Sequence, residues 1–180
     1  MINIPTIETE RLILRGWRED DLDAYAEMMA DPEVMRFLGG AMARSDSWRG
    51  IATMIGHWSL RGFGLWAGER KRDGVLIGRV GVQYPEGWPS SEIAWTLGRP
   101  YWGQGYATEA AKASLDFGFK TTRLPKLISL IDPENRASWR VAQRLGYTKA
   151  GKGTITIFGK SYELDIWEMP RDRWSGINPF

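Results

Sequence analysis

The chain has 180 residues, a formal net charge of +2, one histidine and no cysteine. The lack of cysteine excludes disulfides, a catalytic thiol and cysteine-bound zinc, and one histidine cannot build a multi-histidine centre, so no metal site is expected. The small charge is not that of a nucleic-acid-binding protein. No apolar stretch reaches the ~18 residues of a transmembrane helix, and the acidic N-terminus does not resemble a signal peptide. We therefore expect a cytoplasmic protein that binds neither nucleic acid nor membrane, with a single domain over residues 1–180.

The first third of the chain predicts one strand and two helices. Residues 11–15 form the strand, and apolar residues at helical spacing predict a helix over residues 20–29 that Asp20 caps. Ser45 is expected to cap the second helix. The apolar face of that helix carries Trp48, Ile51, Ile55 and Trp58. His57 belongs to the same helix, and a single histidine there is expected to be structural or exposed rather than catalytic.

The middle of the chain predicts a run of strands. Strands over residues 65–68 and 75–83 flank the basic run 70–72, which is expected to be a solvated hairpin turn because acidic residues lie on both sides of it. Residues 92–97 form a third strand. Its alternation places Glu92, Ala94 and Thr96 on one face and Ile93, Trp95 and Leu97 on the other.

The second half predicts two helices around a buried strand. A helix rich in small residues spans residues 108–120, and the nearly all-apolar strand 126–131 follows it. The next helix spans residues 135–145, and Gly146 suits its left-handed C-terminal cap. The end of the chain predicts an antiparallel hairpin of two strands, 154–158 and 162–169. Strands and helices interleave, and only the centre resembles a βαβ unit, so a mixed α/β fold is predicted.

The most informative stretch is Tyr-Trp-Gly-Gln-Gly-Tyr-Ala-Thr-Glu-Ala at residues 101–110. This glycine-containing turn lies directly after a strand and before a helix, where consecutive backbone N–H groups can bind phosphate oxygens. A Walker loop would need Gly-Lys-Ser/Thr at its end, and a dinucleotide fingerprint would need Gly or Ala in place of Thr108. Taken alone, the turn leaves open both a tight turn without a ligand and a phosphate- or nucleotide-binding site.

Two further motifs follow, Asn135-Arg136-Ala137-Ser138 and Leu145-Gly146-Tyr147. With the glycine-containing turn and the opening Glu10-Arg11-Leu12-Ile13-Leu14-Arg15, they resemble the GCN5-related N-acetyltransferase (GNAT) superfamily. The resemblance covers most of the chain. It is closest to the branch that acetylates ribosomal-protein N-termini (RimJ/RimL-like), together with relatives that act on small amines.

The resemblance implies a fold and an activity. The fold is a mixed, mostly antiparallel sheet with flanking helices, in which the parallel strands 92–97 and 126–131 splay apart. The pantetheine arm of acetyl-CoA would lie in that gap. The implied enzyme is an acetyl-CoA-dependent N-acetyltransferase that acts by direct attack of a primary amine, on a peptide N-terminus or a small molecule, in a ternary complex.

The resemblance also implies which residues bind the cofactor. The family's pyrophosphate motif, Gln/Arg-x-x-Gly-x-Gly/Ala, falls on residues 102–107, where Trp102 departs from the usual first residue. Asn135 matches the residue that bonds the pantetheine arm and equally suits a helix N-cap. Ser138 could contact CoA or complete a helix turn. The expected cofactor-binding residues are Leu97, Trp102, Gly103, Gln104, Gly105, Tyr106, Ala107, Thr108, Asn135 and Ser138.

The chemistry requires a general base, because an ammonium group has no lone pair with which to attack the thioester. Glu92 is the predicted base, and the alternative is an exposed carboxylate at a strand end. The tyrosine that many family members use as the acid is replaced here by Ala142. Ser138, or a water, is the predicted proton donor, and Tyr147 is expected to pack as an aromatic residue.

The acceptor groove is expected along the first two helices and their connection, residues 31–58. Tryptophans that could line it are Trp48, Trp58, Trp66 and Trp88. The identity of the amine stays open, and a homodimer is a possibility that the sequence does not decide. Two other functions are weighed: an acyl-CoA-binding module without catalysis, suggested by Ala142 and Trp102, and a phosphate-binding protein unrelated to CoA.

Overall fold

The computed structural model of the protein describes residues 3–157 and 159–177. Eight strands in these ranges form one sheet. They are β1 (Ile7–Glu8), β2 (Leu12–Arg15), β3 (Leu65–Arg70), β4 (Val75–Gln83), β5 (Glu92–Leu97), β6 (Lys126–Ile131), β7 (Thr148–Ile157) and β8 (Lys160–Pro170). The helices are α1 (Leu22–Ala30), α2 (Arg44–Arg61), α3 (Tyr106–Thr121), α4 (Arg136–Leu145) and α5 (Arg171–Ile177).

The strand order across the sheet is β1-β2-β3-β4-β5-β6-β8-β7. All neighbouring pairs are antiparallel except β5 and β6, which run parallel and are joined by α3. A parallel pair needs such a crossover, because a tight turn cannot return the chain to the same end of the sheet. The predicted mixed, mostly antiparallel sheet with one central βαβ unit is confirmed.

The parallel pair splays apart after its first residues. β5 and β6 are in register at one pair, Glu92 with Ile128, and Ile128 N donates to Ser91 O at 3.0 Å. Side chains then replace the backbone ladder. Ser129 Oγ donates to Ile93 O at 2.8 Å, and Leu130 N donates to the Glu92 carboxylate at 3.0 Å. A gap therefore opens toward the carboxyl ends of both strands, as the resemblance implies.

The two faces of the sheet pack against different helices. Helices α3 and α4 cover one face, where Val82, Ile93 and Leu127 belong to the larger core. A Cβ on Gly118 of α3 would lie 2.9 Å from Leu127 Cδ1, so the small residue allows the helix to approach the sheet. Helices α1 and α2 cover the other face in a second core that includes Ala67.

Two predicted helix caps are wrong. Asp20 lies inside a 3-10 turn, Glu19–Asp21, that precedes α1. The carboxylate of Asp21 is held by Arg15, at 2.7 and 2.8 Å, and by Arg18 N at 2.8 Å. Ser45 lies within α2, whose N-cap is Ala43. Neither N-cap residue, Asp21 for α1 or Ala43 for α2, accepts a capping hydrogen bond with its side chain.

Two expectations about exposure are also corrected. Trp48 does not join the apolar face of α2 and is 56% exposed. Arg70 is not part of a solvated turn: it ends β3, is buried, and pairs with Asp73 at 2.6 Å. The exposed part of that turn begins at Lys71.

The C-terminal hairpin is longer than predicted. β7 begins at Thr148, and its glycine-containing first half includes a bulge between Lys149 and Gly151, which interrupts the alternation that predicts a strand. Phe158, at the end of the predicted strand, lies outside the described residues. The short strand β1 and helix α5 were not predicted. No helix in the described part of the chain is long and apolar enough to cross a membrane.

Candidate active site

The gap between β5 and β6 opens into a cavity of about 900 Å³. One part of it, the glycine-loop end, is lined by the turn before α3 and the first turns of α4. Another part, the α1–α2 end, is lined by the connection between these helices and by side chains of β4 and β5. All the predicted site residues line this cavity except Gln104, whose side chain donates to Pro100 O at 2.7 Å.

The glycine-loop end presents unpaired hydrogen-bond donors. Gly103 and Gly105 have φ of +73° and +83°, in the left-handed region that favours glycine. Gly105 is the N-cap of α3, and the first helical bond runs from Glu109 N to Gly105 O at 3.0 Å. The N–H groups of residues 106–108 therefore have no acceptor within the helix. The buried hydroxyl of Thr108 also has no partner, so this end is built to bind an anion.

A pair of charged side chains holds this turn against β2. Arg11 donates to Gln104 O at 2.9 Å and to Glu109 Oε2 at 2.7 Å, and its guanidinium lies over the Tyr106 ring. Glu109 Oε1 accepts from Thr9 Oγ1 at 2.6 Å and from Arg11 N at 2.8 Å. Burial opposes ionisation of Glu109, but these bonds outweigh it and lower its pKa. Arg11, from the motif at residues 10–15, therefore supports the glycine-containing turn although it lies 93 positions before Gln104 in the chain.

Trp102 takes a different role from the polar residue usual at its position. Its Nε1 donates to Leu97 O at 2.7 Å, and its ring is 45% exposed at the edge of the cavity. The indole thus covers the end of β5 and leaves the backbone of the turn to meet an anion.

Asn135 is the N-cap of α4, as predicted. Its Oδ1 accepts from Ser138 N at 3.1 Å. Because the cap uses the oxygen, the amide Nδ2 has no partner among the described residues and is free to donate into the cavity. The two roles considered for Asn135 are compatible for this reason. Ser138 lies beside it, half-buried, and also lines the cavity.

Glu92 is not an exposed carboxylate, since only 6% of the residue is accessible. One oxygen accepts from Leu130 N at 3.0 Å, and the other accepts from Gln83 Nε2 at 2.9 Å and Trp88 Nε1 at 2.8 Å. Burial raises the pKa of this carboxyl, and the three donors, with the charge of Arg79, oppose that rise. A carboxylate with a raised pKa on a cavity wall can accept a proton from a bound amine.

Two residues near the end of α4, Ala142 and Tyr147, lie in the core. Ala142 is fully buried, and Tyr147 is 4% exposed and packs against the sheet, as expected. Burial raises the pKa of the Tyr147 phenol, so the group stays protonated at neutral pH.

His57 has a structural role, as predicted. Its Nε2 accepts from Tyr84 N at 2.9 Å, so the ring proton must be on Nδ1, which donates to Phe63 O at 2.7 Å. The neutral ring ties the end of α2 to the strands beside it. Within residues 3–157 and 159–177, no three acidic or histidine side chains come together as a metal site.

Part of the predicted acceptor wall reaches the cavity. The contributing residues from the connection between α1 and α2 are Glu33, Val34, Met35, Arg36, Phe37, Leu38 and Met42. Of the four tryptophans considered, Trp88 lines the cavity, while Trp58 and Trp66 are core residues. Sequence reasoning missed the groups around Glu92, because Gln83, Trp88 and Arg79 carry no local motif.

Comparison with known proteins agrees with this geometry. The acetyltransferase (GNAT) domain profile matches residues 11–148. The Bacillus subtilis protein YkkB is 35% identical over 146 residues, which cover 77% of this chain and 82% of YkkB. The Bacillus licheniformis N-acetyltransferase p20 is 31% identical over 154 residues, 81% of this chain and 84% of p20. An acetyltransferase structure from Agrobacterium tumefaciens superposes with a TM-score of 0.82 at 31% identity, covering 95% of this chain and 97% of that one.

The fold and the cavity are therefore those of an acyltransferase. The chain belongs to the GNAT acetyltransferase family, and the predicted enzyme class is confirmed.

Proposed function

We propose that this enzyme transfers an acetyl group from acetyl-CoA to a primary amine, by direct attack in a ternary complex. One observation carries the proposal: the gap between β5 and β6 connects a set of free backbone donors at the glycine-loop end with the buried carboxylate of Glu92. A donor with phosphates at one end and a reactive thioester at the other matches that arrangement.

The residues present fit the cofactor. The unpartnered Thr108 hydroxyl and the free N–H groups of residues 106–108 suit the pyrophosphate oxygens. The free Nδ2 of Asn135 suits a carbonyl of the pantetheine arm. Arg140 and Arg144 present exposed guanidinium groups on the same wall of the cavity. A structure of similar fold, with a TM-score of 0.76 and 16% identity, is that of the ribosomal-protein acetyltransferase RimL in complex with coenzyme A.

In the proposed mechanism, Glu92 accepts one proton from the ammonium group of the acceptor, directly or through a water. The freed lone pair attacks the thioester carbonyl carbon, and the C–N bond forms. As the tetrahedral intermediate collapses, the C–S bond breaks, and the second nitrogen proton is passed on so that one proton reaches the sulfur. The products are the amide and free CoA. Ser138, or a water next to it, is proposed to supply the proton to the sulfur.

Ser138→Ala tests this last assignment. We expect kcat to fall at least tenfold, because a positioned proton donor is lost, while the affinity for acetyl-CoA changes little. The backbone N–H of residue 138 still meets Asn135, so the cap of α4 survives. Steady-state kinetics with Ser175→Ala, on the distant α5, provide the matched control. An unchanged kcat would leave water as the donor.

Trp88→Phe tests the environment of Glu92. The variant removes a donor to the ionised carboxylate and so raises the pKa of Glu92 further. The base acts when it is deprotonated, and activity is lost as the pH falls through its pKa. The acid limb of the kcat/KM profile should therefore move to higher pH, with the high-pH plateau within about twofold of wild type. A profile that does not move would assign the limb to another group.

The acceptor is proposed to be a peptide N-terminus or a small primary amine. The RimL structure supports the first class through its fold. Spermidine N(1)-acetyltransferase of Escherichia coli, 38% identical over 52 residues that cover 29% of this chain, supports the second. An acyl-CoA-binding module is the second candidate, because Ala142 replaces the usual acid.

The test is CoA release from acetyl-CoA, followed with a thiol reagent, against a pool of peptides and a pool of small amines. The chain contains no cysteine, so the protein itself contributes no signal. Turnover on peptides would support the ribosomal-protein branch, and turnover on small amines alone would support a metabolite-modifying enzyme. Acetyl-CoA binding without turnover on either pool would favour the binding module.

A further inference from the structure

Arg79 is a charged side chain of the cavity that the proposed mechanism does not use. It lies on β4, in register with Ala67 of β3 and Thr96 of β5. Residues paired across neighbouring strands lie on the same face of the sheet. Arg79 therefore lies on the face that α1 and α2 cover, which is also the face of Glu92. The residue is half-buried and lines the cavity.

The guanidinium of Arg79 has no carboxylate partner among the described residues. Its one hydrogen bond is long, 3.4 Å from Nε to Thr96 Oγ1. Other arginines held in the sheet are neutralised: Arg15 contacts Asp21 and Glu69, and Arg70 contacts Asp73. A half-buried guanidinium without an ion-paired carboxylate costs free energy that a directly bound anion would recover.

Glu92 acts on Arg79 through its charge only, since its oxygens accept hydrogen bonds from Leu130 N, Gln83 and Trp88 and no ion pair joins it to Arg79. Met35 and Phe37, on the connection between α1 and α2, are apolar. Glu33 lies on the exposed connection and forms no ion pair with Arg79.

The spacing limits the ligand. Glu92 is in register with Gln83, and Arg79 is four residues before Gln83 on β4, roughly 13 Å along the strand. The side chains of Glu92 and Arg79 shorten this distance when they extend into the cavity. In an acceptor that meets both, the amine and the anionic group are still several bonds apart. An α-amino acid, with adjacent charges, does not span this separation. An ω-amino acid or a short peptide with a free carboxylate does.

We propose that Arg79 selects acceptors that carry a carboxylate several bonds away from the reacting amine. The inference rests on the proposed acetyl transfer and names its acceptor class. Arginine suits this role because its planar fork can bind both carboxylate oxygens. The same charge disfavours a polyamine, whose remote group is cationic.

The experiment compares acceptors that differ in the carboxylate alone: 4-aminobutyrate against butylamine, and Gly-Gly against its C-terminal amide, with spermidine as a cationic comparator. We expect wild type to favour the carboxylate member of each pair by about ten- to a hundredfold in kcat/KM. Arg79→Met should remove this preference. Because the charge of Arg79 also opposes the raised pKa of Glu92, the neutral amines are compared on the high-pH plateau, where they should stay within about threefold of wild type. Arg79→Lys should retain part of it, and Arg49→Gln, on the exposed part of α2, should retain all of it.

Several results would overturn the inference. Equal use of both members of each pair by wild type would do so, as would equal losses on both members in Arg79→Met. A weaker acetyl-CoA affinity in Arg79→Met would assign the residue to the cofactor instead. Thermal melting of each variant shows whether it is folded. Failure of the proposed function looks different: wild type would not bind acetyl-CoA, or would turn over no amine of either charge.

Discussion

Replacing Glu92 with glutamine is expected to lower kcat by about 10²- to 10⁴-fold while acetyl-CoA still binds. The amide cannot take a proton from the ammonium group of the acceptor, so the lone pair that attacks the thioester is not generated. Acetyl-CoA binding, measured by calorimetry, should change little, because the donors at the glycine-loop end lie at the other end of the gap.

The structural role of Glu92 needs a control of its own. The carboxylate joins β4, β5 and β6 through Gln83, Trp88 and Leu130 N, so Glu92→Gln also disturbs hydrogen bonding. The loss of one such bond costs about 1–3 kcal/mol of stability, which thermal melting would show. Trp88→Phe removes one of these bonds but keeps the carboxylate, and it should retain turnover at high pH. Full turnover in folded Glu92→Gln would remove Glu92 from the mechanism.

Replacing Gly105 with alanine is expected to raise the Kd of acetyl-CoA at least tenfold, about 1.4 kcal/mol, with kcat at saturation near wild type. The residue has a φ of +83°, and an added Cβ would lie 3.3 Å from Arg11 Nη2, the group that holds the turn. The turn must shift, and the N–H groups that follow Gly105 move with it.

Gly62 supplies the matched control for this change. Gly62 is the C-cap of α2 and, like Gly105, has a positive φ, +74°. An added Cβ there would meet nothing within 4 Å, and the residue does not line the cavity. Gly62→Ala and Gly105→Ala should each cost roughly 1 kcal/mol of stability through the left-handed backbone. Only Gly105→Ala should weaken acetyl-CoA binding. Equal affinities in both variants would argue against an anion site at the turn.

Much of the central fold could be predicted because its signals are local. The apolar run of β6 and the small residues of α3 are patterns over a few turns or a few strand residues. Asn135 and Gly146 at the ends of α4 are also local signals, and both are confirmed as caps. The predicted caps Asp20 and Ser45 are wrong. At α1 the Arg15–Asp21 pair holds the residue that precedes the helix, and α2 begins at Arg44 without a side-chain cap.

The surroundings of the Glu92 carboxylate could not be predicted in the same way. Glu92 meets Leu130, which is 38 positions away, and Arg11 meets Glu109 across 98 positions. Arg79 belongs to no motif, and its lack of an ion-paired carboxylate is seen only when every neighbouring side chain is placed. Such pairings depend on strand register, which one-residue shifts would change completely.

The sequence by itself determined the order of the strands and helices from β2 to β8, the glycine-containing turn before α3 and the absence of thiol chemistry. These properties follow from backbone conformation and residue type, which act over short distances. The tertiary structure decided that Glu92 is buried and accepts three hydrogen bonds, and that the side chain of Gln104 turns away from the cavity. It also decided that Arg79 lines the cavity without an ion-paired carboxylate. Burial and charge pairing depend on residues far apart in the chain, and folding alone brings them together.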